Sequence, residues 1–160
     1  MKKLYIRKSK IAGRGIIAAE DIRKGEYIWP LIGTLHTRHY KKPSDYKNEQ
    51  TWIPVAVHKW INPKFPFKHL NHSCEPSAGF RTPRKVYALR DIKTGEEITV
   101  DYSTIEYVHF WKIHCSCGAR KCRKIIRSVH FLPAKFYRSY LPYIPTFIRN
   151  AYRHRKIALK

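Results

Sequence analysis

Residues 70–76 read Leu-Asn-His-Ser-Cys-Glu-Pro, a run of hydrogen-bonding side chains between an apolar residue and a turn proline. A second segment, residues 95–102, reads Gly-Glu-Glu-Ile-Thr-Val-Asp-Tyr, which is typical of a turn, a strand and an acidic-aromatic pair at the strand end. A lone histidine in a turn is usually a satisfied core residue. The two segments together indicate a functional site instead.

Short runs rich in Ile, Val, Tyr or Trp fill the first two-thirds of the chain, each bounded by Gly, Pro, Asn or charged residues. These runs predict a mostly β fold. Prolines at 133, 142 and 145 exclude one continuous helix in the last third, so we expect two helical pieces, 134–141 and 146–157. The predicted strands are 3–7, 15–19, 27–35, 51–57, 86–89 and 97–100.

Two segments, 19–26 and 89–96, share the pattern (Ala/Leu)-x-Asp-Ile-(Arg/Lys)-x-Gly-Glu. The glycine of each suits a left-handed corner between two strands. We interpret them as two similar turns and not as an internal repeat.

The composition fits one globular domain with appendages, because the chain has 160 residues, of which 43% are hydrophobic and 14% aromatic. Lys and Arg number 33 against 11 Asp and Glu, a net charge of +22, and the last acidic residue is Glu106. Such an imbalance favours polyanionic surroundings. With no apolar run long enough for a bilayer span or a signal peptide, the sequence predicts an intracellular protein without a membrane partner.

The four cysteines of the chain are Cys74, Cys115, Cys117 and Cys122. Three of them lie within eight residues, a spacing that favours a tetrahedral zinc site over buried reduced thiols. Three local ligands and one distant ligand would fasten the end of the domain to its middle. His72 and His114 stand beside these cysteines and could compete for the metal.

Taken in order, these pieces resemble the SET-domain protein-lysine methyltransferases. The loop Gly13-Arg14-Gly15 is similar to the family's first cofactor motif, and residues 71–74 match its Asn-His-Ser-Cys motif. Residues 95–102 match Gly-Glu-Glu-Leu-Thr-x-Asp-Tyr, and Cys115-x-Cys117-x4-Cys122-Arg123 is similar to the post-SET segment. The resemblance covers residues 3–126.

The resemblance implies a SET-domain fold of small curved β-sheets, in which a pseudoknot brings 71–74 beside 99–102. Residues 1–112 would form the SET domain, 113–126 the post-SET zinc segment with Cys74 as its fourth ligand, and 127–160 a basic aromatic extension with a short helical tail. Cofactor and substrate lysine would meet in a narrow channel.

It also implies S-adenosylmethionine as the cofactor and Tyr102 as the catalytic residue, whose hydroxyl would orient the amine beside the cofactor. Asn71 and His72 would hold the cofactor, and Gly13, Arg14 and Gly15 would lie along it. A second channel aromatic is expected, and the sequence leaves three candidates open: Trp52, Tyr46 and Tyr107.

The chain departs from the family pattern at two places. Residues 31–34, Leu-Ile-Gly-Thr, lack a carboxylate that the family usually has there. The residue before Asp101, often Phe or Tyr and linked to the number of methyl groups added, is Val100. The number of methyl groups transferred is therefore left open.

The substrate implied is a lysine-bearing protein. A DNA-bound histone-like chromatin protein is the first candidate and a ribosomal protein the second. The basic tail would bind the nucleic acid. One alternative is a zinc-stabilised nucleic-acid-binding module with an inactive pocket, which the charge favours. A second is a scaffold that docks a partner through an apolar stripe at 147–152. On that view, deletion of 127–160 leaves peptide methylation intact.

Overall fold

The computed structural model describes residues 1–46 and 51–154, with the side chain of Tyr46 excluded. Short strands dominate it, as the sequence predicts. The strands are β1 Leu4–Lys8, β2 Arg14–Ala18, β3 Tyr27–Pro30, β4 Gly33–Thr37, β5 Ile53–Ala56, β6 Lys59–Pro63, β7 Asn71–His72, β8 Ala78–Thr82, β9 Lys85–Ala88, β10 Thr99–Val100, β11 Lys112–His114 and β12 Ile125–Arg127. The helices are α1 Ala134–Ser139 and α2 Thr146–Arg153, with 3₁₀ turns at Pro43–Tyr46, Phe67–His69, Tyr102–Thr104 and Val129–Phe131.

The strands form five small sheets within the described part of the chain. Two are three-stranded, in the orders β3-β9-β8 and β4-β6-β5, and β1-β2 and β11-β12 are hairpins. The fifth is the parallel pair of β7 and β10, which aligns Asn71 with Thr99 and His72 with Val100. This pair confirms the expected approach of 71–74 to 99–102, which are far apart in sequence.

The two Asp-Ile turns pair with each other around Ile22 and Ile92, whose main-chain groups exchange two hydrogen bonds of 2.8 Å. The aspartate of each turn accepts a main-chain N–H of the other: Asp21 from Thr94 at 2.9 Å, and Asp91 from Lys24 at 2.8 Å. The similar sequences therefore form the two halves of one nearly symmetric contact, which fastens the end of β2 to the segment leading into β10.

The main core lies between the small sheets, where apolar side chains from β2, β3, β8 and β9 are fully enclosed. Ile16, Ile28, Phe80 and Val86 each have 0% of their surface exposed. Burial of this kind stabilises a domain by roughly 25 cal/mol for each Å² of apolar surface removed from water. The runs rich in β-branched and aromatic residues predict β2, β3 and β9 but not β8.

The predicted strand 27–35 is interrupted, because Leu31 turns into the core and separates β3 from β4. The predicted strand 97–100 is shorter, with only Thr99–Val100 in register. Strands β6, β7, β8, β11 and β12 are absent from the sequence prediction. The first helical piece ends at Ser139 instead of 141, and of the second piece Thr146–Arg153 is helical, while 155–157 lie outside the described residues.

Residues 129–152 pack against the domain through a second apolar cluster, which we call the extension core. Its enclosed members come from the 3₁₀ turn at Val129–Phe131, from α2 and from the segments that flank α1: Val129, Leu132, Tyr140, Ile144, Ile148 and Tyr152. Leu89 of the domain packs on it. Tyr143 also lies against Gly79 of β8, where an added Cβ would stand 3.0 Å from the Tyr143 Cβ.

No helix among the described residues is both long and apolar enough to cross a bilayer.

Candidate active site and metal centre

The parallel pair of β7 and β10 places three predicted site residues, together with Asp101, at one edge. Asn71 and His72 form β7, while Asp101 and Tyr102 follow β10 directly. The N–H of Tyr102 donates to Nδ1 of His72 at 3.1 Å, and the two rings lie 5.3 Å apart. Residues 30 positions apart thus become neighbours.

Asn71 joins this edge to the predicted cofactor loop at residues 12–15. Its side-chain nitrogen lies 3.1 Å from the carbonyl oxygen of Ala12 and 3.0 Å from that of Arg14. Gly13 has a φ of 49°, a conformation that favours glycine. The structure therefore brings Gly13, Arg14, Gly15 and Asn71 together.

Glu97 lies at the centre of the same region, although the sequence did not single it out. Its Oε1 accepts from the Asn71 amide at 2.7 Å, and Ser9 Oγ donates to its two oxygens at 3.0 and 2.8 Å. A Cβ on Gly15 would overlap the Glu97 carboxylate. The second glycine of the loop is thus needed because a half-buried polar side chain packs on its backbone. The available signal was the second glutamate of Gly-Glu-Glu.

Tyr102 is half-buried, and its hydroxyl donates to the carbonyl oxygen of Leu70 at 2.6 Å. Burial raises the pKa of this phenol, and the charge of Glu97 raises it further, so the hydroxyl stays protonated. Tyr102 lines a narrow cavity of about 90 Å³. The other lining residues are Thr51, Trp52, Ile53, Pro54, Phe67, Lys68, Leu70, Ile105, Glu106 and Trp111.

The lining of this cavity distinguishes the three candidates for a second channel aromatic. Trp52 lines it together with Tyr102, stacked on His36 at 4.3 Å. Tyr107 lines a different cavity and accepts a hydrogen bond from the N–H of His58 at 2.8 Å. The side chain of Tyr46 lies outside the described residues. Trp111, which the sequence analysis missed, is a further aromatic of the Tyr102 cavity.

Cys74, Cys115 and Cys117 converge, as a metal centre requires, and Cys122 lies beside Cys115. Four sulfur atoms about 2.3 Å from a tetrahedral zinc would lie roughly 3.8 Å from one another. The Sγ of Cys115 lies 3.8 Å from that of Cys74 and 3.6 Å from that of Cys122. Cys117 accepts the N–H of Cys74 at 3.5 Å. The donor chemistry and spacing therefore fit zinc, and the sequence separation of 41 residues between Cys74 and Cys115 is closed by the fold.

His72 also approaches this cluster, since its Nε2 lies 3.3 Å from the Sγ of Cys74. Together with Cys74, Cys115 and Cys117 it forms a group whose ligand atoms lie within 4.8 Å of one another. Nδ1 of His72 already accepts the N–H of Tyr102, so the proton of the neutral ring resides on Nε2. Burial, reinforced by the charge of Arg123, lowers the pKa of His72 to about 3 and keeps it neutral. His72 is thus oriented to donate to the sulfur of Cys74.

Arg123 connects the cysteine cluster to the active-site edge. Its main-chain N–H and its Nε both donate to the Sγ of Cys74, at 3.3 and 3.4 Å. A terminal guanidinium nitrogen lies 2.6 Å from Oδ1 of Asp101, whose side chain is completely enclosed. Burial raises the pKa of the Asp101 carboxyl, and Arg123 opposes that rise. The cation compensates the carboxylate charge, and it would also compensate a Cys74 thiolate in a metal-bound cluster.

With the geometry described, comparison with known proteins identifies the family. The SET domain model matches residues 13–103, more than half of the chain. The chain therefore belongs to the SET-domain family. It is 30% identical over 145 residues to the putative histone-lysine N-methyltransferase ASHH4 of Arabidopsis thaliana, and 31% identical over 137 residues to the histone-lysine N-methyltransferase trr of Drosophila melanogaster.

These alignments cover 78% and 76% of this chain but only 39% and 6% of the two relatives. Among solved structures, a humanized mutant of the Chaetomium thermophilum Polycomb Repressive Complex 2, bound to the inhibitor GSK126, matches with a TM-score of 0.52. That match has 21% identity and covers 65% of this chain and 15% of the other. It supports the fold, and the family assignment rests on the sequence.

Proposed function

We propose that the chain transfers a methyl group from S-adenosylmethionine to the side-chain amine of a lysine in a protein substrate. The observation that carries this proposal is the position of Tyr102. Its ring lines the narrow cavity, while its main-chain N–H is bonded to His72 in the segment that holds the cofactor loop. Tyr102 would thus stand between the cavity for the substrate lysine and the loop at 12–15 for S-adenosylmethionine.

The residues present fit the cofactor. The small-residue loop at 12–15 is fixed by Asn71, and Glu97 fixes Asn71 in turn. When bound, S-adenosylmethionine supplies an electrophilic methyl group on a positively charged sulfur. We assign Gly13, Arg14, Gly15, Asn71, His72 and Tyr102 to its binding.

The cavity contributes by enclosing the nucleophile. A lysine amine has a pKa near 10.4 in water and must be neutral to attack, and enclosure in a largely apolar cavity disfavours the ammonium form. Alignment of amine and methyl group replaces a bimolecular encounter with a near-attack geometry. The protonated hydroxyl of Tyr102, fixed by Leu70, would orient the amine.

We further propose that one zinc ion is bound by Cys74, Cys115, Cys117 and Cys122. Zinc needs four converging ligands, and His72 is oriented as a donor to Cys74 and not as a ligand. Such an ion would fasten the segment after β11 to the loop after β7. It would thereby hold one wall of the active site in place.

The names of both curated relatives refer to histone-lysine methylation, and we propose a histone-like protein as the substrate here. A chain of net charge +22 repels a free basic tail but is attracted to DNA that carries one. We therefore propose that the substrate is methylated while bound to nucleic acid, in the nucleus or nucleoid. Methylation unaffected by added DNA and by moderate salt would contradict this part.

The test is mass spectrometry of a host lysate, and of core histones with and without DNA, incubated with isotopically labelled S-adenosylmethionine. Wild-type protein should label lysine residues, and Tyr102→Phe should label at least about 100-fold more slowly. Calorimetry in parallel should detect cofactor binding to both proteins without DNA. DNA binding without cofactor binding would favour the inactive nucleic-acid-binding module instead.

A further inference from the structure

The cavity beside Tyr102 contains a carboxylate that the family motifs do not include. Glu106 lines it and is only 4% exposed. Most of the described residues that line the cavity are apolar or aromatic. Among them, Glu106 is the one acidic residue and Lys68 the one basic residue. Lys68 is exposed at the end of the 3₁₀ turn Phe67–His69. The cavity therefore combines an enclosed negative group with a positive group at its surface.

Two main-chain contacts fix Glu106 in this position. Its Oε1 accepts the N–H of Val108 at 2.7 Å, and its carbonyl oxygen accepts the N–H of Val129 at 2.8 Å. The first contact fixes the side chain, and the second joins the residue to the start of the extension core. A carboxylate held in this way loses little conformational entropy when it binds a cation.

The net charge of the protein makes such a group necessary. A substrate lysine approaches as an ammonium ion, which a surface of charge +22 repels and a mostly apolar cavity does not solvate. A carboxylate acts far more strongly in an enclosed site than in water. We propose, on the basis of the methyltransferase function above, that Glu106 is a substrate-binding residue that attracts the lysine ε-ammonium into the cavity.

The charge that helps lysine to enter also affects the chemistry. A carboxylate near the bound amine favours its protonated form, so a lysine beside Glu106 needs a higher pH to become the neutral nucleophile. Removal of the charge should therefore weaken peptide binding and, in the bound complex, lower the pH at which the rate rises. Loss of a residue that only supports the fold would not both weaken peptide binding and lower the pH at which the rate rises.

Glu106→Gln is the first variant, because glutamine keeps an oxygen that can accept from Val108. The probe is a synthetic peptide that spans the lysine labelled by the wild-type protein in the assay above. The KM for this peptide should rise about tenfold, and the rising limb of kcat against pH should move to lower pH. The dissociation constant of S-adenosylmethionine, measured by calorimetry, should stay unchanged.

Lys68→Gln is the matched variant of opposite sign on the same cavity. Loss of its positive charge should lower the KM for the peptide about twofold, a small effect because Lys68 is exposed. Lys68→Glu should lower KM further. Glu106→Asp, which keeps the charge on a shorter side chain, should recover most of the loss caused by Glu106→Gln.

A KM that is unchanged in Glu106→Gln and in both Lys68 variants would overturn the inference while leaving the methyltransferase function intact. If Glu106→Gln does not fold, the direction of the Lys68 effects decides the question. A wild-type protein that binds the cofactor but labels no lysine would refute the proposed function itself, and the role of Glu106 with it.

Discussion

The hydroxyl of Tyr140 donates a hydrogen bond to the main-chain carbonyl oxygen of Cys74, 3.2 Å away and 66 residues earlier in the chain. The contact is buried, and Tyr140 belongs to the extension core. A second contact lies beside it, since the guanidinium of Arg123 is 5.6 Å from the centre of the Phe136 ring. The extension thus supports the loop that carries the most distant of the proposed zinc ligands.

Tyr140→Phe should lower the free energy of unfolding by about 1 kcal/mol, because it leaves the Cys74 carbonyl without this donor. It should also speed the release of zinc to a coloured chelator, since the Cys74 loop is then less restrained. Tyr137→Phe is the matched control, a tyrosine of the same cluster for whose hydroxyl no hydrogen bond is described. Equal release rates in the two variants would argue against a role of the Tyr140 hydroxyl.

Removal of residues 127–160 should destabilise the remaining domain and not leave it unchanged. Ile144 and Ile148 are completely enclosed, and Tyr143 packs on Gly79. The truncated chain would expose the apolar surface around Leu89 to water. Circular dichroism should record a lower melting temperature or no cooperative transition. A truncated chain that melts like the full one and still methylates the peptide would restore the interpretation of the extension as a separate docking tail.

Arg123→Met should cost about 3 kcal/mol of folding free energy, because it leaves the fully enclosed Asp101 carboxylate without its cation. The double variant Arg123→Met with Asp101→Asn should recover part of that loss, since no charge is then buried unpaired. Denaturation in urea measures both values. A double variant that is no more stable than Arg123→Met would show that the ion pair is not the source of the effect.

Gly15→Ala should weaken S-adenosylmethionine binding at least about tenfold, because the new Cβ displaces Glu97 and thereby frees Asn71. Calorimetry gives the dissociation constant. Gly118→Ala is the contrasting control, since its φ of 72° makes alanine strained there although no atom lies within 4 Å of an added Cβ. Cofactor affinity reduced equally by both changes would indicate general destabilisation.

X-ray absorption at the zinc edge should show four sulfur neighbours at about 2.3 Å. Cys122→Ser should then lower zinc retention strongly, whereas His72→Gln should lower it much less. A nitrogen neighbour near 2.0 Å, lost in His72→Gln, would instead identify His72 as the fourth ligand in place of Cys122.

The sequence predicts those site residues that belong to contiguous motifs. Asn71, His72 and Tyr102 stand in recognisable segments, and the cysteines are close in sequence except for Cys74. The residues that sequence reasoning missed, such as Glu97, Glu106 and Trp111, matter through contacts across the fold. The residues next to Glu106 in the sequence do not distinguish it from an ordinary surface carboxylate.

The fold shows the same division. Runs rich in β-branched and aromatic residues predict β2, β3 and β9, but β7 and β10 are two residues long and depend on each other for their pairing. Strands so short have no periodicity to detect. The burial of α2 also depends on tertiary packing, because its apolar stripe alone is compatible with docking on the domain or on a partner.

Asp101 and Tyr102 are adjacent, so a single peptide bond separates the residue that anchors Arg123 from the residue that faces the cavity. Two side-chain contacts connect the cysteine cluster to the residue before Tyr102: Cys74 to Arg123, and Arg123 to Asp101. Oxidation of a thiol there would thus reach methyl transfer by loosening the backbone beneath Tyr102, without altering any group that contacts the amine.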